Sequence, residues 1–217
     1  MLLVYHVDCE QPLPPMNILH TLLSLVFPES EEHALVHTLT EADMEQLLRV
    51  SPLPHGVGLT SYRDERIRAL VWEAKYKKNA HAHALMAHVL GEYLSSHYDD
   101  VPTLIPIPLS PKRAKERGYN QVEEVLKVVC EDPLLKYDAS LLARVRETTP
   151  QTQLGRKERL TNLSGAFAVP DDRREQVKGK YFILVDDVAT TGTTLTEARR
   201  ALMHAGAKAV DTVAFAH

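Results

Sequence analysis

The chain has 217 residues, of which 44% are hydrophobic and 25% charged, with a formal net charge of −4. That length allows one sizeable core and a small appended module, and no apolar run approaches the ~20 residues that a membrane-spanning helix needs. Two distant cysteines, Cys9 and Cys130, exclude a four-cysteine zinc site and argue against a disulfide framework, so a cytoplasmic setting is expected.

The opening MLLVYHVDCEQPLPP carries Asp8 and Glu10 and no basic residue, which does not resemble a secretory signal. No Lys or Arg precedes Arg49, whereas eight of the 29 acids do. The rest of the chain holds all 25 basic residues against 21 acids. An anionic partner therefore belongs to the later part.

Hydrophobic spacing predicts helices over residues 16–27 and about 31–49. SPLPHGVG, residues 51–58, reads as a proline and glycine break. It divides an acidic helical module, 1–58, from an α/β domain, 59–217. Two helices follow, with Ile67, Leu70, Val71 and Ala74 on one stripe and Met86, Val89, Leu90 and Leu94 on the other. Trp72 and Tyr76 are expected to pack against the core. TLIPIPL, residues 103–109, predicts a short buried strand. The basic stretch SPKRAKERGY reads as a loop. A helix starts near Asn120, a plausible N-cap with Glu123 placed to reach back.

A second strand is expected near 141–145, then a polar stretch, then short strands at 166–169 and 181–185. The last helix carries Leu195, Ala198, Leu202 and Ala205, with Gly206 just past its end. AVDTVAFA closes as a final strand. Strands alternating with helices from residue 103 onward predict an open parallel sheet flanked by helices, with the N-terminal helices appended.

The chemistry concentrates in YFILVDDVATTGTTL, residues 181–195. A strand-like run ends in Asp186 and Asp187, and a loop of only Thr and Gly then opens a helix. In open parallel sheets ligands bind beyond the carboxyl ends of the strands. A helix N-terminus offers unpaired N–H groups to an anion. The aspartates accept hydrogen bonds and cannot hold phosphate, but they suit vicinal sugar hydroxyls or a hydrated divalent cation. Together these describe a ribose 5-phosphate site. No Gly-Lys-Ser/Thr is present, so this is not a Walker loop.

ILVDDVATTGTTL resembles the phosphoribosyl-pyrophosphate (PRPP) motif of type I phosphoribosyltransferases. IPIPLSPKRAKERGYNQVEEV and LLARVRETTPQTQLGRKERLTNLSGAF are similar to the ComF family of competence-associated, phosphoribosyltransferase-like proteins. The likeness covers about residues 60–217 and is strong at Arg113, Arg117, Gly118, Asn120, Gln121, Gln153, Arg159 and Asn162. The family usually starts with a zinc ribbon. Here the acidic helical segment takes its place, and no structural zinc is expected.

The resemblance implies a type I phosphoribosyltransferase-like fold and a Mg²⁺-dependent displacement of pyrophosphate from PRPP by a nitrogen acceptor. Asp186 and Asp187 would engage the ribose, with Mg²⁺ nearby through water or PRPP. Thr190, Thr191, Gly192, Thr193 and Thr194 would hold the 5-phosphate. Arg113, Arg117 and Gly118 would serve the pyrophosphate, and Gln153, Arg156 and Arg159 would form a lid. The alternative is a non-catalytic PRPP-binding or DNA-uptake protein that handles single-stranded DNA. A homodimer is compatible with either. The histidines of HAHALMAH, residues 81, 83 and 88, are expected on a polar surface rather than on a metal.

Overall fold

The run FILV, residues 182–185, is apolar at every position because the strand it forms is covered on both faces there. In this computed structural model, which describes residues 31–146 and 165–217, that strand lies inside a five-stranded sheet. The chain divides into two units, Met1–Glu31 and Glu32–His217, and the sheet belongs to the second. The helix expected over 16–27 and the lid residues Gln153, Arg156 and Arg159 lie outside the described residues.

Helices α1 (Glu31–Thr38) and α2 (Glu41–Leu47) lead into strands β1 (Leu48–Leu53) and β2 (Gly56–Thr60). Then come α3 (Glu65–Tyr76), α4 (Ala80–His97), β3 (Thr103–Pro106), α5 (Pro111–Arg117) and α6 (Gln121–Val129). The remaining elements are β4 (Ala143–Arg144), β5 (Phe167–Ala168), α7 (Arg174–Val177), β6 (Tyr181–Val188), α8 (Thr193–His204) and β7 (Ala209–Ala216).

The sheet order is β1-β2-β7-β6-β3. Only β1 and β2 are antiparallel; β2 with β7, β7 with β6 and β6 with β3 run parallel. This is the expected open, mostly parallel sheet flanked by helices. Alternating residues of β6 feed two cores. Ile183 and Val185 meet α3, α4 and α6 through Leu70, Ala74, Leu90, Val125 and Leu126. Phe182 and Leu184 meet α8 through Leu195, Ala198 and Leu202. Each such side chain, fully buried, contributes roughly 1.5–3 kcal/mol of hydrophobic stabilisation.

Several elements differ from expectation for physical reasons. SPLPHGVG is not a break: Leu53 pairs with Gly56, and β2 joins the sheet beside β7. Gly56 is glycine because an added Cβ would lie 1.7 Å from the Thr212 carbonyl oxygen. The helix expected over 31–49 is two helices, because Thr40 caps the second with a reciprocal capping box to Asp43. The basic stretch is helix α5 rather than a loop. Ser110 caps it, Pro111 occupies the first turn, and Gly118 terminates it at φ 76°. The strand near 141–145 shrinks to β4, which pairs only with β5 in a separate two-stranded ribbon. Tyr76 is not a core residue; it is 61% exposed. His83, conversely, is buried with its Nε2 facing the Ala74 carbonyl, and burial lowers its pKa.

Candidate functional site

Because β3 and β6 run parallel side by side, their carboxyl ends lie together. The Ile107 N–H donates to the Val185 carbonyl at 2.9 Å, which seats the β3 exit against the acidic pair. Asn120 then ties the returning chain down. Its amide donates to the Ile107 carbonyl at 3.0 Å, while its side-chain oxygen caps α6 at the Val122 N–H. Three segments thus converge: the end of β6, the loop after β3 and the start of α6.

Downstream of β6, Ala189 is held by its N–H to the Ala216 carbonyl. Thr190 and Thr191 are exposed, and Thr193 is buried. The hydroxyls of Thr191 and Thr193 bond each other at 2.8 Å. Gly192 takes φ 68°, a left-handed conformation that suits glycine. An added Cβ there would meet Pro54 at 2.8 Å, so the hairpin turn packs directly on this loop. The Gly192 carbonyl accepts the first turn bond of α8 from Thr196, and the N–H groups of Thr193, Thr194 and Leu195 precede that bond. The five expected phosphate-binding residues are therefore contiguous at the start of α8.

The aspartates behave unlike each other. β6 continues to Val188, which pairs with Ala216, so Asp186 and Asp187 lie within the strand and point to opposite faces. The pair thus lies before the strand's end rather than at the turn after it. Asp187 is 5% exposed and spent on protein partners. Its Oδ1 lies 3.1 Å from the Lys75 Nζ, and its Oδ2 accepts from the Gln121 amide. Asp186 stays partly exposed, with Oδ1 accepting the Asp187 N–H at 2.9 Å. Desolvation first, then the negative charge of Asp187, push the Asp186 carboxyl up to about 7. A small cavity lined by Leu59, Met86, Leu90, Val122, Val125 and Phe215 also borders the pair.

The expected pyrophosphate residues separate. Arg117 is drawn inward. It donates to the Gln121 Oε1, and its guanidinium lies 5.3 Å from the Tyr76 ring centroid. A relay Arg117–Gln121–Asp187–Lys75 therefore crosses the site. Arg113 sits exposed on α5, no residue of which is buried, and Gly118 is the terminator of that helix. Sequence reasoning missed Lys75. The signal was available: KYKK ends the helix whose apolar stripe faces β6, so its first lysine lies beside the sheet end.

Three oxygens of the acidic pair are engaged within the protein. Asp187 already carries a lysine and an amide, and one oxygen of Asp186 is bonded to backbone. Among the described residues no group of three or more His, Cys, Asp or Glu is placed to hold a metal ion. Neither is any described helix long and apolar enough to cross a membrane.

Residues 135–217 match the phosphoribosyl transferase domain family. The chain is 32% identical to the DNA utilization protein YhgH of Escherichia coli strain K12, over 49% of this chain and 45% of that protein. It is 28% identical to the YhgH of Salmonella typhi, over 65% of this chain and 63% of that one. Against competence protein ComFC of Bacillus subtilis the identity is 33%, over 48% of this chain and 39% of the relative. The matched part thus spans about half the length of these curated relatives.

Proposed function

We propose that this chain, a phosphoribosyltransferase-like protein of the ComF family, binds PRPP at the carboxyl end of β6 and transfers its ribosyl group to a nitrogen acceptor. The observation that carries the reading is the Gly192 loop. It is packed in advance against Pro54, it opens α8, and it follows a partly exposed acid at the sheet's carboxyl end. A phosphate there meets backbone N–H groups and the positive end of the helix, each charge-assisted bond contributing about 1.5–3 kcal/mol.

Asp186 is the acid presented to the ribose hydroxyls. Asp187 anchors Lys75 and Gln121 and so fixes the strand end around it. Arg117, held by Gln121 and Tyr76, is, among the described arginines of the basic stretch, the one assigned to the pyrophosphate. Displacement would form a C–N bond at the anomeric carbon and break the C–O bond to pyrophosphate, which departs with the bonding pair. Such centres pass through oxocarbenium-like states that neighbouring carboxylates stabilise. Magnesium enters this reading only as the counter-ion that PRPP itself carries.

Calorimetric titration with PRPP tests the reading. Wild type should bind and Asp186→Asn should bind at least about tenfold more weakly, the loss of roughly 1.4 kcal/mol. Equal affinity in the two proteins would refute the assignment of Asp186. Pyrophosphate release on adding a base or amine would separate turnover from binding alone.

A second reading has its own observation. Lys77 lies 5.4 Å from the Trp72 ring centroid, Arg117 5.3 Å from that of Tyr76, and Lys78 5.4 Å from that of Tyr119. Aromatic rings among cations, with Tyr76 exposed and Trp72 and Tyr119 half-buried, suit single-stranded nucleic acid, and the relatives are named for DNA utilization and competence. Salt-dependent binding of single-stranded DNA that Tyr76→Ala weakens would support this role. Binding unaffected by that substitution would place any DNA elsewhere.

A further inference from the structure

We infer that Lys75 is the resident counter-cation of the acidic pair, occupying the place on Asp187 that a protein-bound divalent cation would need. The inference deepens the PRPP reading and rests on it for its ligand. Lys75 lies in the last turn of α3, and Asp187 lies within β6. Their side chains are 21% and 7% exposed, and Nζ sits 3.1 Å from Oδ1. The second oxygen of Asp187 is taken by Gln121, which is itself held by Arg117. Three of the four oxygens of the pair therefore have partners within the protein.

A magnesium ion demands octahedral oxygen coordination and usually reaches a protein through free carboxylate oxygens and retained waters. To bind Asp187 it would have to displace a lysine at hydrogen-bond distance and leave that ammonium close to a divalent charge. Lysine offers the same sign of charge without a coordination shell, as a compact group on a flexible stem. Two adjacent carboxylates remain tolerable at one strand end because this ammonium is beside them. The consequence for the ligand is specific: the ribose and its 5-phosphate bind with no cation held by the protein, and Lys75 is a positioning residue that keeps Asp187 fixed on the face of β6 opposite Asp186.

Two measurements on the full chain decide the matter, with circular dichroism confirming that each variant is folded. The first is uptake of Mn²⁺ in the absence of any nucleotide or sugar, followed by the resonance signal of the free ion. Wild type and Lys75→Arg should take up little. Lys75→Gln, which frees a carboxylate oxygen, should bind Mn²⁺ at least about tenfold more tightly. The second is titration with ribose 5-phosphate with and without a chelator. Wild-type affinity should be unchanged by the chelator, and that of Lys75→Gln should become cation-dependent. Identical Mn²⁺ uptake by wild type and Lys75→Gln would overturn the inference, as would wild-type ribose 5-phosphate binding that vanishes with chelator. Absence of sugar-phosphate binding in all proteins would refute the PRPP reading, while the Mn²⁺ arm would still decide the role of Lys75.

Discussion

The loop at the start of α8 and the basic helix α5 are both offered by the sequence as phosphate sites, and they are built in opposite ways. The loop is set in place by its neighbours. Gly192 lies against Pro54, Thr193 is buried, and Ala189 is tied to the last strand. Helix α5 buries none of its residues, and of its arginines only Arg117 is drawn into a network. The lesson is that charge density alone does not mark the better anion site. A loop without a single cation is the pre-organised one, and pre-organisation reduces the ordering cost of binding. The basic helix is suited to attract an anion from a distance.

That contrast can be broken most severely at the hairpin. Gly56→Ala places a methyl group 1.7 Å from the Thr212 carbonyl oxygen, which neither strand can avoid. A loss of about 3 kcal/mol or more is expected, read as a collapse of the urea midpoint. Gly192→Ala acts on the loop alone. The left-handed backbone costs about 1–2 kcal/mol, and the contact with Pro54 adds to it, so the melting temperature should fall and ribose 5-phosphate affinity should drop with it. Asn120→Ala cuts the tie between the loop after β3 and α6 and should cost about 1 kcal/mol by chemical denaturation. Arg113→Ala, on the exposed helix, should change stability by no more than about 0.5 kcal/mol. It should weaken pyrophosphate binding only at low salt, as titrations at two ionic strengths would show.

Acidity sharpens the same contrast. The Asp186 carboxyl is raised in the folded chain to about 7, above its ordinary value of 3.8. The folded state therefore holds this proton more tightly than the unfolded state. The stability it contributes is complete below the ordinary carboxylate range and is lost as pH rises through about 7. Asp186→Asn should flatten that decline, so urea midpoints measured from pH 4.5 to 8 should diverge with the variant the more stable at the alkaline end. Parallel curves would mean that Asp186 ionises without cost.

Much of the fold was legible because local pattern and tertiary role agreed. AVDTVAFA is strand β7 over Ala209–Ala216, and the stripes at Ile67 and Met86 are the buried faces of α3 and α4. The sequence also placed the Thr-Gly loop correctly between a strand and a helix, with Gly192 left-handed at the start of α8. Helix α5 was misread although Ser110, Pro111 and Gly118 spelled out its start and stop; the density of charge hid the caps. The hairpin at 51–58 was misread because Pro and Gly mark turns inside sheets as readily as breaks between modules. The pairing of Lys75 with Asp187 joins residues about half the chain apart, and KYKK at the end of a sheet-facing helix does not encode which carboxylate its first lysine will meet. The opposite facing of the two aspartates depended on where β6 stops, and strand ends are the least determined feature of a sequence.

The most direct measurement is a ¹⁵N–¹H correlation spectrum of the full chain titrated with ribose 5-phosphate. The amides of Thr190, Thr191, Gly192, Thr193 and Thr194 should shift together while those of residues 111–117 stay in place. Shifts confined to 111–117, or none at 190–194 under saturating ligand, would contradict it.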